Sequence, residues 1–412
     1  MDKKRIHSWW DYICYVFKHD KFLLFATIMD ILLLAWALWT LKADLSEAHS
    51  WILFIVVLIN FIWQICNAFG HFVSTVRGVN FKTKSIINIE KKYKQQFLLT
   101  EEVKKEFSYI PTLPQFIEPK NIDELLECDM WYVIHDTNSE DRPVETLIHG
   151  MWPINFTFLN EKIHSGENFF NEEKLCLTAE LFKDQNENLV YAKVCKGNYY
   201  NHYLSNAIYN LCLCDKNNGI KIWPSINAMN YPIPKLENSI LSNHIGVSSL
   251  LVTKDMLTVL LVQNAKAAYN KNKIVPTCSG SVDYQDVIEN RNLRENLRDV
   301  IIHAAERELR EEIALDINAL RDKKIKVETK IIGYYRDLSR GGKPEFCCVT
   351  EIQTVRAMLD IRPQTVEQNR EIYASPNIAD LIQNGVCVNS TDDTVSDTLS
   401  ANIYFLKKYK GL

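Results

Sequence analysis

The stretch AAERELREEIAL, residues 304–315, carries six charged side chains in twelve positions and keeps its apolar residues at helical spacing. On a helix, Glu308, Glu311 and Glu312 stand at i, i+3 and i+4, so their carboxylates lie on one face. Arg307 is four residues before Glu311 and can pair with it. Clustered carboxylates repel one another unless a cation neutralises them, and such oxygen ligands favour Mg²⁺ or Mn²⁺. The stretch therefore predicts a metal site; the alternative is a solvated helix stabilised by i, i+4 ion pairs.

The sequence around this helix resembles the Nudix box, in which a Gly, five residues, a Glu and seven residues precede Arg-Glu-apolar-any-Glu-Glu-any-Gly-apolar. Residues 307–315 match every specified position but the glycine. Gly280 and Asp286 match the preceding loop, with Asp in place of Glu. Residues 236–412 are therefore expected to form a Nudix domain, an α/β/α sandwich.

The resemblance implies a function for each part of the box. Glu308, Glu311 and Glu312 would bind the metal, with Mg²⁺ as the expected ion, helped by the Gly280 carbonyl. The residues expected to contact the ligand are Gly280, Ser281, Asp283 and Arg307. If the domain is active, Glu311 and Glu312 are the expected catalytic residues. Glu345 and Glu351 are candidates for the general base.

Two features depart from the box. Twenty residues separate Asp286 from Arg307 where the family has seven, and Leu293, Leu297 and Val300 keep helical spacing in this segment. We therefore expect the insertion to extend the helix by about three and a half turns. Ala314 stands where the family has the glycine that ends the helix in a left-handed conformation, in which a Cβ is penalised.

The N-terminal part of the chain is apolar over two long runs, residues 22–41 and 51–69. As a helix, each run is long enough to cross a hydrocarbon core of about 30 Å. Lysine and arginine are frequent in residues 1–21 and 77–94, whereas the connecting residues 42–50 include a single lysine. This pattern predicts a two-pass α-helical hairpin in the inner membrane with both termini cytoplasmic. A buried helical hairpin and a cleaved signal peptide are the alternatives.

Asp30 and Asn60 lie near the middle of the two runs, at nearly the same depth in an antiparallel hairpin. An intramembrane carboxyl costs at least about 2.5 kcal/mol on insertion scales, so it normally faces a protein partner or water. Two interpretations are open. Either the two side chains form a hydrogen bond that joins the helices, or they line an oligomeric pore.

The chain between the apolar runs and the box divides into two parts. Residues 70–110 combine apolar residues at helical intervals with many charges, which predicts a juxtamembrane helix. Residues 111–235 contain short aromatic and β-branched runs separated by turn clusters, which favours a β-rich module and linker. In residues 243–266, two strand-like runs around a KDM turn predict a hairpin. The predicted cytoplasmic part is therefore α+β.

Composition argues against two other classes of function. The formal charge of −4 gives no reason to expect bulk nucleic-acid binding. The eleven cysteines are scattered, and no two of them have zinc-finger spacing. We therefore expect a reduced protein in which cysteine does not hold a structural zinc ion.

A two-pass hairpin joined to a Nudix domain resembles the transmembrane Nudix effectors of cyclic-oligonucleotide-based antiphage signalling systems (CBASS). The resemblance implies that the Nudix pocket or the β-rich module senses a cyclic oligonucleotide second messenger. Ligand binding would then drive homo-oligomerisation, and the hairpins would disrupt the lipid bilayer and kill the cell. The alternative is a membrane-anchored, Mg²⁺-dependent Nudix hydrolase of nucleoside diphosphate-linked substrates. A scaffold that has lost its ligand is a third interpretation.

Overall fold

The structure is a computed structural model. It describes, besides scattered single residues, the ranges 10–16, 81–85, 97–136, 143–151, 169–184, 188–215, 221–223, 231–263, 272–288, 295–362, 370–386 and 394–411.

The secondary structure is a mixture of short strands and helices. The strands are β1 (Phe81–Ser85), β2 (Phe107–Ile110), β3 (Leu113–Pro119), β4 (Trp131–His135), β5 (Glu173–Leu177), β6 (Phe182–Asp184), β7 (Leu189–Asn198), β8 (Leu211–Asp215), β9 (Lys221–Trp223), β10 (Gly246–Thr253), β11 (Leu260–Gln263), β12 (Lys273–Val275), β13 (Cys278–Ser281), β14 (Val327–Asp337), β15 (Lys343–Ile352), β16 (Arg370–Ala374) and β17 (Thr394–Val395). The helices are α1 (Glu101–Glu106), α2 (Ile122–Glu127), α3 (Pro143–Gly150), α4 (Tyr199–His202), α5 (Tyr284–Ile288), α6 (Leu297–Ile313), α7 (Ile317–Asp322), α8 (Ile378–Asn384) and α9 (Asp397–Tyr409).

The central sheet has six strands in the order β13-β10-β15-β14-β3-β2. β10 and β15 pair in parallel, and the other neighbouring strands pair antiparallel. β10 reads GVSSLLVT and is buried at every position, as a strand covered on both faces must be. The register places Gly246 opposite Ser281 on one side and Glu345 on the other. The loop that carries the start of the box therefore leaves the sheet beside the first residue of β10.

Helices cover both faces of this sheet. α6 belongs to the buried cluster that includes Val247, Tyr334 and Phe346. On the opposite face, the Phe405 ring of α9 lies so close to Gly333 that a Cβ there would overlap it. The described residues thus form an α/β fold, with the central sheet lying between α6 and α9.

Local sequence signals determine both ends of α6, the helix that carries the box residues. Asn296 caps its N-terminus by accepting a hydrogen bond from the Arg298 N–H, and Ala314 ends it with φ 56° and ψ 27°. Ala314 therefore ends the helix in the left-handed conformation although it has a Cβ. α6 begins at Leu297, ten residues before Arg307. Residues 284–288, which include Asp286, form the separate helix α5.

β10 and β11 do not form the hairpin predicted for residues 243–266. A turn does follow β10, in which the Thr253 N–H donates to the Leu257 carbonyl at 3.0 Å. β11, however, lies in a different sheet, of order β16-β11-β12-β17. The prediction was wrong because a strand-like run identifies a strand but not its partner, and β15, which pairs with β10, lies far along the chain.

The prediction of one helix over residues 70–110 was also wrong. Residues 81–85 are the strand β1, which pairs antiparallel with β8. Helix appears within the described part of this segment only at α1. Helical periodicity is a weak local preference, and strand pairing with a distant part of the chain overrides it here.

The predicted two-pass membrane hairpin and the predicted inner-membrane location are contradicted. Among the residues that the structure describes, no helix is both long enough and apolar enough to span a bilayer. Asp30 and Asn60 lie outside the described residues, as does most of both apolar runs. Hydropathy measures how apolar a run of residues is. It does not by itself establish a helix that crosses a bilayer.

The predicted β-rich module makes direct contacts with the predicted Nudix domain. β4, β7 and β5 form a sheet with β6 on β7, whereas β3 and β2 extend the central sheet beyond β14. Leu175 of β5 donates its N–H to the Val282 carbonyl and accepts from the Ile245 N–H, both at 2.9 Å. The domain boundaries at 1–21, 22–69, 70–110, 111–235 and 236–412 remain predictions, and the central sheet contains strands from both sides of residue 236.

Candidate functional site

Arg307 is the centre of the site predicted from the box. Its Nε and Nη2 donate to the two carboxylate oxygens of Asp286, at 2.9 and 3.1 Å. Its Nη1 donates to Glu308 Oε1 at 2.9 Å and to Glu311 Oε2 at 3.2 Å. Nη2 also donates to the Ser281 carbonyl at 2.9 Å. Every guanidinium nitrogen thus donates a hydrogen bond, and Arg307 holds the carboxylates around it. We name this group of residues the box cluster: Asp286, Arg307, Glu308 and Glu311.

Glu308 is buried directly beneath the box loop. The residue is only 6% exposed, and a Cβ on Gly280 would overlap its carboxylate. Glycine is therefore the residue that leaves room for Glu308. Burial raises the pKa of Glu308 to about 7, although Arg307 opposes the rise; Glu311 adds to it. The charge on this carboxylate is only partly compensated by the protein.

The three predicted metal ligands do not all point to one place. Glu308 and Glu311 share Arg307 Nη1, whereas Glu312 Oε2 accepts from the Ser279 N–H at 3.1 Å. Among the described residues, no three His, Cys, Asp or Glu side chains are grouped so as to hold one metal ion. The assignment of all three glutamates to a metal, and of Glu311 and Glu312 to catalysis, remains a prediction.

Two of these carboxylates fit a divalent cation. Glu308 is buried and Glu311 is 43% exposed at its side chain, yet both reach the same guanidinium nitrogen. Both offer the hard oxygen atoms that Mg²⁺ and Mn²⁺ prefer. A cation bound by both carboxylates would favour the ionised form of Glu308, which burial disfavours.

The β-rich module contributes a cation to the same site. Lys174 of β5 donates to Glu172 Oε2 at 2.7 Å and pairs with Asp283. Asp283 Oδ2 in turn lies 3.4 Å from Arg307 Nη2. Burial opposes the charge on Lys174, but Asp283 and Glu172 outweigh it and raise the pKa of this lysine. Asp283, predicted to contact the ligand, is therefore paired within the protein.

Sequence reasoning missed two histidines beside the box loop. His202, at the end of α4, and His244, just before β10, stack with ring centroids 3.4 Å apart and ring planes 18° apart. Both are buried, and among the described residues neither Nδ1 has a hydrogen-bond partner. His244 Nε2 lies 3.4 Å from the hydroxyl of Ser281, which was predicted to contact the ligand. The two rings are named the histidine stack below.

Burial keeps the histidine stack neutral. It lowers the pKa of both rings well below the ordinary value, and the positive charge of Lys343 lowers both further. Lys343 is itself buried, which lowers its pKa to about 8 although Glu345 opposes the fall. No sequence signal could have revealed the stack, because its members come from separate segments of the chain.

Both candidate bases are paired with cations. Glu345 accepts a hydrogen bond from Lys343 Nζ at 2.6 Å and pairs with Arg340. Glu351 accepts from Lys410 Nζ at 2.7 Å. In each glutamate, the ion pair engages the Oε1 atom of the carboxylate.

No protein-family model matches the chain, and no curated protein matches it. Solved structures that match it are Nudix proteins. The MutT protein from Methanosarcina mazei Go1 is 15% identical with a TM-score of 0.27, and the match covers 40% of this chain and 95% of that one. The Nudix hydrolase RenU from M. smegmatis is 10% identical with a TM-score of 0.26, over 41% of this chain and 86% of that one.

A third match is a bifunctional enzyme. A bifunctional NMN adenylyltransferase/ADP ribose pyrophosphatase from Francisella tularensis, in complex with AMP and a Mn ion, is 15% identical with a TM-score of 0.26. This match covers 41% of this chain and 42% of that one. Each of the three matches is at most 15% identical and has a TM-score of at most 0.27. At these identities and TM-scores they carry no argument on activity or ligand.

Proposed function

We propose that residues 236–412 form a divalent-metal-dependent hydrolase of nucleoside diphosphate-linked substrates. The observation that supports this proposal is the box cluster, in which Arg307, fixed by Asp286, holds Glu308 and Glu311 on one nitrogen. One of these carboxylates is buried and the other faces solvent. Such a pair suits a cation that must also reach a phosphoryl oxygen of a substrate.

The chain's residues have separate tasks in this mechanism. The cation would supply Lewis acidity toward a phosphoryl oxygen. Glu308 and Glu311 would hold the cation, and Arg307 prevents the two carboxylates from turning away from each other. Gly280 leaves the space above Glu308. Since the pKa of Glu308 is about 7, the carboxylate becomes fully ionised only above neutral pH unless a cation is bound.

Turnover of nucleoside diphosphate sugars and dinucleoside polyphosphates by the full chain, with Mg²⁺ or Mn²⁺, tests this function. We expect Glu311→Gln to lower kcat/KM by about 100-fold, because one metal carboxylate is lost. The matched control is Glu328→Gln, a glutamate 44% exposed at its side chain that pairs with Lys330 away from the cluster. Equal loss in both variants, or full activity in Glu311→Gln, would contradict the proposal.

We propose, as the second candidate, that the same site binds a cyclic oligonucleotide without hydrolysing it and that binding brings copies of the chain together. This is the sensing half of the effector function expected from the CBASS resemblance. The pairing of Glu345 with Lys343 and of Glu351 with Lys410 favours it, because a binding site needs no free base.

Calorimetry with cyclic di- and trinucleotides, joined to light scattering, separates the two candidates. The receptor is supported if the chain binds a cyclic nucleotide, assembles into oligomers on binding and does not hydrolyse the ligand. Glu311→Gln should then weaken the binding. Turnover of linear substrates without cyclic-nucleotide binding supports the hydrolase.

A further inference from the structure

The helical turn before Arg307 places one more polar side chain beside the box cluster. His303 stands one helical turn before Arg307, so the two side chains lie on the same face of α6. His303 Nδ1 is 3.5 Å from Asp286 Oδ1, the same oxygen that accepts from Arg307 Nε. The imidazole therefore approaches the carboxylate that fixes the arginine.

Asp286 has a physical reason to need this neighbour. It is one methylene shorter than the glutamate of the box, and it is only 2% exposed. A buried carboxylate is stable only when its charge and its oxygens are compensated. Oδ2 accepts from the Asp283 N–H at 2.9 Å and from Arg307 Nη2 at 3.1 Å, which leaves Oδ1 to Arg307 Nε and His303.

The charges around His303 favour its cationic form. The Asp286 carboxylate raises the pKa of His303; burial and Arg307 oppose the rise, and Glu306 adds to it. A groove lies between α6 and α7, and His303 lines it. On the α7 side, the groove is lined by Asp316 and Arg321. Arg321 forms an ion pair with Glu306 at 2.7 Å. On α6 itself, Asp299 and Arg310 complete the charged groups that line this groove.

We propose that His303 is a positioning residue for the metal carboxylates. By holding Asp286, it fixes the Arg307 guanidinium and, through it, the orientation of Glu308 and Glu311. His303 thus compensates for the shorter carboxylate at position 286. This inference rests on the proposed function only in taking Glu308 and Glu311 as metal ligands.

The test is the affinity of the full chain for Mn²⁺, measured by calorimetry together with the Mn²⁺ electron paramagnetic resonance spectrum. We expect His303→Leu to weaken binding about tenfold, the usual size of the effect when a residue that orients a ligand is lost. His303→Gln should retain most of the affinity, because its amide can donate to Asp286 from nearly the same position. His135→Leu, an exposed histidine on β4, is the control and should have no effect.

Restoring the longer carboxylate makes the test specific. In the His303→Leu background, Asp286→Glu should recover Mn²⁺ affinity, whereas the same change in the parent should gain little. Unchanged affinity and spectrum in His303→Leu, or a failure of Asp286→Glu to rescue, would overturn the proposal.

These readouts do not require turnover, so a protein that binds Mn²⁺ but hydrolyses nothing would refute the hydrolase and leave the positioning role standing. If the parent binds no Mn²⁺, the denaturant midpoints of the metal-free single and double variants decide. If the change in midpoint of the double variant equals the sum of the changes in the two single variants, positions 286 and 303 do not interact and the proposal is overturned. A different change in the double variant would support the interaction.

Discussion

The box cluster and the histidine stack both contact Ser281, the last residue of β13, and bury polar groups in opposite ways. The Ser281 carbonyl accepts from Arg307 of the cluster, and the Ser281 hydroxyl approaches His244 of the stack. In the cluster, one arginine pairs with three carboxylates. In the stack, two imidazoles give up their charge and pack as neutral rings. A buried polar group is tolerated either through a partner of opposite charge or through neutralisation, and these two solutions respond differently to mutation and to pH.

Removing the arginine should have the largest effect, because the cluster depends on charge pairing. Arg307→Met leaves the buried carboxylates of Asp286 and Glu308 without their main cation. Breaking a buried ion pair from one side typically destabilises by about 3–5 kcal/mol. We expect a fall of that size in the free energy of unfolding, measured by denaturant titration at pH 7.5.

The matched control is Arg362→Met, since Arg362 pairs with Asp360 at 2.8 Å but both side chains are more than 70% exposed. An exposed pair of this kind contributes about 0–1 kcal/mol. A loss in Arg307→Met no larger than in the control would show that the cluster does not depend on its arginine.

The histidine stack should show its effect through pH. Each ring has a folded-state pKa well below its unfolded value of about 6.5, so the unfolded chain binds more protons as the pH falls. Stability should therefore decrease between pH 7.5 and 5.5, by up to about 2.7 kcal/mol for the two rings together. Denaturant titrations across this range measure the slope.

The double variant His202→Phe and His244→Phe isolates this contribution, because it keeps two stacked rings without titratable nitrogens. Glu308 acts in the opposite direction, since its folded pKa of about 7 lies above its unfolded value and its contribution to stability is lost as the pH rises. A parent and a double variant with the same pH slope would show that the two rings bind protons as readily in the folded protein as in the unfolded chain.

The smallest expected effect concerns the end of the helix that carries the cluster. Ala314 has φ 56°, a left-handed conformation that costs an L-residue with a Cβ about 1–2 kcal/mol relative to glycine. Because glycine also loses more entropy on folding, we expect Ala314→Gly to raise the stability by about 1 kcal/mol.

Ala304→Gly, in the interior of the same helix, is the control and should destabilise the protein. The thermal midpoint of unfolding measures both variants. If Ala314→Gly also lowered this midpoint, the left-handed conformation of Ala314 would not be a source of strain.

The candidate site was predictable where its members are close in sequence. The i, i+3 and i+4 spacing put Glu308, Glu311 and Glu312 on one turn, and the pairing of Arg307 with Glu311 was correct. The spacing did not show that Glu312 turns to Ser279 or that Arg307 uses every nitrogen within the protein. Those outcomes depend on the loop that packs over the helix, which local spacing does not describe.

The fold shows the same limit. Apolar runs correctly marked β10 and β11 as strands, but the hairpin was wrong, because the partner of β10 is chosen by packing against β15. The N-terminal runs were assigned to a membrane from their length, their hydropathy and the Lys and Arg residues that flank them, and the described residues contain no helix that could span one.

The amino-acid sequence by itself determined the contents of the box, the helix that presents them and the left-handed residue that ends it. These features depend on contacts within one or two turns, and short-range sterics and hydrogen bonds settle them. Only the tertiary structure decided that His303 meets Asp286, that Lys174 enters the site from another sheet and that His202 stacks on His244. Such contacts join residues that are distant along the chain, and burial from water, which no local pattern records, sets their charges.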